Sequence, residues 1–154
     1  MVTSQIVPVV SAWQRYLIKV SSWQALIEGQ EPKQTDCGPV YELPNPINRP
    51  SESFAVADMR SIDLAGPHYH SGGESEIYIV LEGAGLTVVG GKEFKLRPGS
   101  IVVTPPDTAH FTIPNGLVLA VVNTPPFNSS NYVALSDSDP DVGFDHEQLV
   151  RLSK

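Results

Sequence analysis

The sequence predicts an all-β fold of short antiparallel strands closing as a barrel or a jelly-roll sandwich, and three observations carry that prediction. From Phe54 onward apolar and polar residues alternate with a period of two over seven segments, the pattern of half-buried strands. Turn signals separate nearly every pair of segments: Gly90-Gly91, Pro98-Gly99 and Asn115-Gly116. The 12 glycines and 14 prolines recur along the chain, which leaves few stretches able to run as long helices. At 154 residues the chain makes one domain large enough to bury a core.

Residues 11–30 place Trp13, Tyr16, Leu17, Val20, Trp23 and Ile27 at a helical period, while 16–20 also reads as a strand. A strand followed by a short helix, capped by Ser22 and ended by Gly29, uses the capping signal that a single long helix would bury. Residues 31–53 carry Pro32, Pro39, Pro44, Pro46 and Pro50 and read as a wrapping loop with at most a short strand at 40–43. Residues 1–53 are therefore expected to form an extension, and 54–135 the barrel. Its strands are predicted at 54–64, 76–82, 86–89, 92–96, 100–104, 108–113 and 117–123, with hairpins at Gly90-Gly91 and Asn115-Gly116. The tail, 136–154, is acidic and then weakly helical over 144–152. The segment 13–27 is apolar enough to cover a sheet edge or a neighbouring subunit's sheet.

Ten Lys and Arg against 17 Asp and Glu give a formal charge of −7, which repels phosphate backbones and anionic lipid. No nucleic acid or membrane partner is expected, and no helix-turn-helix fits the proline-rich N-terminal third. The longest apolar runs, 77–81 and 117–122, fall far short of the ~20 residues of a membrane span. The single cysteine, Cys37, makes no intramolecular disulfide, and the N-terminus lacks a basic region followed by an apolar one. A cytoplasmic location is the expectation.

Three of the four histidines, His68, His70 and His110, sit at strand ends in the β-rich region. Residues i and i+2 of an extended segment share a face, so His68-Tyr69-His70 presents two imidazoles to one ion if that face is the interior. Imidazole suits Fe, Ni, Cu, Mn or Zn, and a carboxylate nearby completes a mixed nitrogen and oxygen site. The same pair beside Gly72-Gly73 also fits a solvated loop, and the spacing alone does not choose.

The wider pattern is His68-x-His70, then Glu76 and Gly83 with six residues between them, then Gly99, Pro105 and His110. Over about residues 54–123 it resembles the cupin family, in which two such motifs on neighbouring strands supply three His and one Glu to one metal. The resemblance implies an antiparallel double-stranded β-helix, a jelly-roll barrel. It also implies one divalent transition metal (Fe, Mn, Zn or Ni) on His68, His70, Glu76 and His110, and a homodimer. Three positions depart from the family pattern: five residues separate His70 from Glu76 instead of three or four, Ile62 stands at one expected glycine and Asp107 at another. Glu74 fits the shorter spacing, but Glu76 heads the apolar run 77–81 and keeps the distance to Gly83. Glu76 is therefore the expected ligand, and Glu74 reads as a solvated loop charge.

Three imidazoles and one carboxylate leave two positions of an octahedron for water, dioxygen or a bidentate substrate. Family activities include dioxygenation, decarboxylation and sugar-phosphate isomerisation. The expectation is a metal-dependent enzyme acting on a small polar, anionic metabolite; the alternative is a non-catalytic metal-containing module that binds or senses a small-molecule ligand. If the even positions of 54–64 face the core, Arg60 and Asp58 lie inside, and Arg60 forks onto the anion. A bulge or a strand end there instead makes them a surface pair. Tyr78 and Thr112 lie two residues beyond Glu76 and His110 and are further candidates for the pocket wall, with a core-filling role open for Tyr78. Asp137-x-Asp139-x-Asp141 lacks the glycine and glutamate of a calcium loop. His146 reads as an exposed helix residue and Cys37 as an unpaired loop thiol.

Overall fold

The computed structural model describes residues 22–43, 51–136 and 144–154. The expected strand at 16–20, Trp13 and the Asp137-x-Asp139-x-Asp141 run lie outside the described residues.

The described elements are α1 (Trp23–Ile27), β1 (Lys33–Thr35), β2 (Gly38–Glu42), β3 (Ser53–Asp58), β4 (Ala65–His70), β5 (Ser75–Val89), β6 (Lys92–Leu96), β7 (Ile101–Thr104), β8 (His110–Thr124), β9 (Tyr132–Ala134) and α2 (His146–Leu152). Every described strand pairing is antiparallel. The sheet runs β1-β2-β3-β8-β4-β9, and β5 adds β6 and β7 while pairing along β8. β5 and β8, each 15 residues long, form the spine of this curled sheet.

The expected hairpin at Asn115-Gly116 is overturned. The register runs from Val80↔Leu119 through Glu82↔Val118 to Ala84↔Asn115, so the segments 108–113 and 117–123 merge into the single bulged strand β8, as 76–82 and 86–89 merge into β5. The cause lies in two glycines. Gly83 and Gly116 both take positive φ, +77° and +65°, and a Cβ on Gly83 would sit 1.9 Å from the Gly116 carbonyl oxygen. The two strands bend at the same place because neither carries a side chain there, and the bend curls the sheet. Gly90-Gly91 does make the tight β5–β6 turn, with Val89 opposite Lys92.

The proline-rich segment holds more structure than expected. β1 and β2 form a hairpin that extends the sheet beyond β3. Pro39 is accommodated because it faces Gln34 of β1, while the β2–β3 register begins only at Val40↔Ala57. The short helix after Ser22 is present, and Gly29 leaves it at φ +75°, although Ser22 makes no side-chain cap.

Two apolar clusters hold the sheet. One gathers Met59, Tyr78, Val80, Leu96, Leu117 and Leu119 on the concave side. On the other side Leu43, Val56 and Val118 are covered by Trp23, Leu26 and Ile27 of α1, so this segment covers the chain's own sheet. Burying each large side chain contributes about 1.5–3 kcal/mol. The tail docks through α2: Asp145 caps it, and Gln148 and Arg151 reach Glu93 of β6.

Gly83→Ala therefore meets both a forbidden φ and a backbone clash, and should cost about 3 kcal/mol or more. Gly99→Ala, at φ +84° with nothing within 4 Å, should cost about 1 kcal/mol. Urea unfolding of both variants checks the paired bend; equal losses would show that the Gly83–Gly116 contact does not set it.

Candidate metal centre

β4 alternates so that His68 and His70 are buried on one face. On β5 the even residues Glu76, Tyr78 and Val80 point the same way. His110 opens β8 opposite His68, which brings the second histidine motif beside the first. His68, His70, Glu76 and His110 are all buried, and one donor atom from each lies within 4.8 Å of the others. The expected quartet thus converges in space.

Local backbone aims the rings. His68 Nδ1 stands 2.8 Å from the Gly66 carbonyl and His110 Nδ1 3.1 Å from that of Thr108. Each carbonyl needs a hydrogen on Nδ1, which leaves Nε2 for the centre. Asp107, where the family pattern has glycine, holds φ +54°, a conformation Asp tolerates, and its N–H donates to the His70 carbonyl at 2.9 Å.

Electrostatics favour a cation at the centre. His110 Nε2 lies 3.0 Å from Glu76 Oε2, so both nitrogens of this ring face acceptors, and the second contact takes either a further proton on the ring or a metal ion. His70 stands 3.1 Å from Glu74 Oε1 through Nδ1 and 3.6 Å from Glu76 Oε1 through Nε2. Neither contact meets hydrogen-bond geometry, which leaves a buried imidazole unsatisfied at both nitrogens. Burial, assisted by the neighbouring His110, drives His68 down to about 3, so its ring is neutral and able to ligate. Burial would raise Glu76, but the hydrogen bond with His110 and the charge of His110 and His70 close by hold it well below the usual carboxylate range. For His70, burial is outweighed by Glu76 and Glu74, which keep it above its ordinary value. An orphaned imidazole, a histidine between two acceptors and a mixed nitrogen and oxygen donor set all fit a divalent transition metal.

The centre lies at the wall of a cavity of about 530 Å³. Beyond it the walls come from Cys37 and Val40 of the β1–β2 hairpin, Ala55 and Ala57 of β3, and Phe127 and Tyr132 after β8. Acidic residues at the wall include Asp36, Glu42, Glu52 and Glu76, and no Lys or Arg joins them among the described residues. Tyr78 lines it too, its hydroxyl pushed well up by burial and by Glu76, so it stays protonated.

Several expectations need correction. Arg60 lies outside the cavity: it pairs with Asp58 at 2.6 Å, remains 48% exposed and sits over the Trp23 ring at 5.4 Å. The reason is that β3 is buried on both faces. Ala55 and Ala57 face the cavity while Val56 packs beneath α1, and β3 ends at Asp58, so alternation could not tell inside from outside. Thr112 is buried in a bond with Thr87 at 2.9 Å, away from the cavity wall. Glu74 is no solvated charge; its exposure is 0%. Cys37 belongs to the cavity wall, and burial pushes its thiol up to about 12, which leaves it unreactive. His146 is exposed on α2 as expected. Asn123, Phe127 and Tyr132 went unnoticed in the sequence. Asn123 alone had a signal, a polar residue in phase with buried Leu119 and Val121.

Mutation separates the centre from its surroundings. His70→Ala should abolish tight Co²⁺ binding measured by titration, while His146→Ala should retain it. Arg60→Met should keep full metal binding and lose no more than about 1 kcal/mol of stability, since its ion pair is solvated. Loss of metal in Arg60→Met would restore a role for it in the site.

Comparison with known proteins bears on the fold. The family profile for the cupin domain matches residues 62–122, which contain all four residues of the centre. No curated protein matches the chain at a significant level. Among solved structures, Pac13, described as a nucleoside dehydratase, superposes with TM-score 0.61 at 14% identity over 73% of this chain and 92% of its own. A protein from Planctomyces limnophilus gives TM-score 0.60 at 21% identity, over 70% and 91%. KdgF from Halomonas sp. gives 0.52 at 18%, over 60% and 81%. With the curled antiparallel sheet and the motif-bearing strands in place, the chain carries a cupin domain over residues 62–122.

Proposed function

We propose that this protein is a metal-dependent enzyme of the cupin type that acts on a small, uncharged polar metabolite in the cavity beside His68, His70, Glu76 and His110. The observation that carries the reading is a charge balance. Two carboxylates, Glu74 and Glu76, are buried beside three imidazoles, and no Lys or Arg lines the cavity among the described residues. Buried charges of that kind require compensation, and a divalent ion supplies it in full. The bound ion would supply Lewis-acid polarisation of a substrate oxygen.

The chain's own residues would do the rest. Phe127, Phe54 and Val121 offer apolar walls, and Tyr132 and Tyr78 offer hydroxyl groups that stay protonated. Glu76, held ionised beside His110, would keep an anionic oxygen turned to the ion. An anionic substrate loses its expected handle with Arg60 outside, and the acidic wall opposes it. One precedent in the comparisons is a Streptomyces Pac13 variant described with uridine, an uncharged nucleoside, at TM-score 0.62 and 14% identity. Dehydration thereby joins decarboxylation, dioxygenation and isomerisation as reaction types to assay.

The test is metal analysis of protein purified without chelator, followed by binding and turnover of a nucleoside and its phosphorylated form. One ion per chain and preference for the uncharged compound are expected. Tighter binding of the phosphorylated form would overturn the substrate class, and metal-free protein that turns over substrate would overturn the chemistry. Because neutral imidazole is the ligand and His70 titrates above ~6.5, metal affinity should fall as pH drops through ~6.5. Affinity unchanged down to pH ~4 would contradict a histidine-rich site.

We also propose a homodimer. Ile101 and Val103 are 66% and 58% exposed on β7, which pairs only with β5 and presents a free edge among the described strands. Light scattering should give twice the chain mass, and Ile101→Lys with Val103→Lys should give the monomer. A wild-type monomer at micromolar concentration would refute it.

A further inference from the structure

We infer that Glu74 is a positioning residue that holds the ligand His70 and ties it to the 124–131 loop, so that metal occupancy and closure of that cavity wall are coupled. The inference rests on the metal reading above. Two glycines explain how a second carboxylate arrives behind the centre. Gly72 and Gly73 both hold positive φ, +68° and +78°, and Glu74 N–H donates back to the Ser71 carbonyl at 3.3 Å. This tight turn absorbs the extra residues between His70 and Glu76. Glu76 then takes the place in the donor quartet, and Glu74, at the shorter spacing, is folded beneath it.

Every oxygen of Glu74 is engaged. Oε1 lies 3.1 Å from His70 Nδ1 and accepts from Asn123 Nδ2 at 3.0 Å, and the same amide reaches Glu76 Oε1 at 3.4 Å. Oε2 accepts from Asn128 N–H at 3.4 Å and Asn131 Nδ2 at 3.2 Å. Asn131 is further held by Ser71, whose N–H donates to its carbonyl at 2.9 Å. The loop so anchored carries Pro126, Phe127 and Ser129 to the cavity wall, with Tyr132 just beyond it. A fully buried carboxylate with three hydrogen-bond donors and a 3.1 Å approach to His70 Nδ1 holds more than a loop anchor needs, and the His70 contact is the one that faces the centre. Fixing Nδ1 directs Nε2 to the metal and raises its basicity, as outer carboxylates do for ligating histidines.

The experiment uses Co²⁺ alone, with absorption spectra, titrated affinity and amide hydrogen exchange over residues 124–133. Wild type should bind Co²⁺ and gain protection in the loop. Glu74→Ala should lose about 10–100-fold in affinity, change the Co²⁺ spectrum and uncouple the loop from the metal. Glu74→Gln, which keeps an oxygen facing Nδ1, should recover most of the affinity. Asn131→Ala should keep affinity within about threefold while losing the gain in loop protection, because it breaks the tie but leaves the His70 contact. If Glu74→Ala unfolds, Asn131→Ala still decides the matter. Co²⁺ affinity and spectrum unchanged in a folded Glu74→Ala, or wild-type coupling of metal and loop in Asn131→Ala, would overturn the inference while leaving the metal reading intact. Failure of the wild type to bind Co²⁺ would remove both.

Discussion

Negative charge without a fixed positive partner is the constraint on which the rest of this molecule depends. Glu74 and Glu76 are buried side by side, joined through the amide of Asn123, and the cations in reach are imidazoles that burial discourages from charging. His68 answers by staying neutral, and His70 answers by holding its proton more tightly. A divalent ion, as proposed above, would resolve the conflict for all of them at once. The cavity wall repeats the theme in weaker form, with Asp36, Glu42 and Glu52 around an otherwise apolar and aromatic surface.

The scaffold serves this centre by bringing distant segments to one side of a curled sheet. β5 supplies Glu76, β8 supplies His110 and Asn123, and β4 lies against β8 with its two histidines facing in. The shared bend at Gly83 and Gly116 lets β5 and β8 stay paired while they curve around the cavity. Backbone carbonyls at Gly66 and Thr108, two residues before their histidines, then set the ring orientations without recruiting any distant side chain.

Much of this was legible in the sequence, for identifiable reasons. The quartet was readable because its chemistry sits in side-chain type and spacing: His68-x-His70 on one strand face, Glu76 heading an apolar strand, and His110 after Pro105. Glu76 and not Glu74 stands in the cluster of four, because the distance to Gly83 follows the strand itself, whereas the glycine turn before it takes up the extra residues. What failed were inferences that needed a view of both faces or of the third dimension. Arg60 was placed by alternation on a strand that is apolar on both sides, and Asn115-Gly116 has the composition of a hairpin but serves as a bulge. Glu74 was hidden because its hydrogen-bond donors, Asn123, Asn128 and Asn131, lie 49 or more residues away, on the strand and loop that close over it.

The most direct measurement is a crystal structure of protein grown with Co²⁺, with anomalous scattering recorded at the cobalt edge. A single ion about 2.0–2.2 Å from a nitrogen of His68, His70 and His110 and from an oxygen of Glu76, as N and O ligands bind such metals, is the result predicted. An ion bound through Glu74 in place of Glu76, or no ion among these four residues, would contradict it.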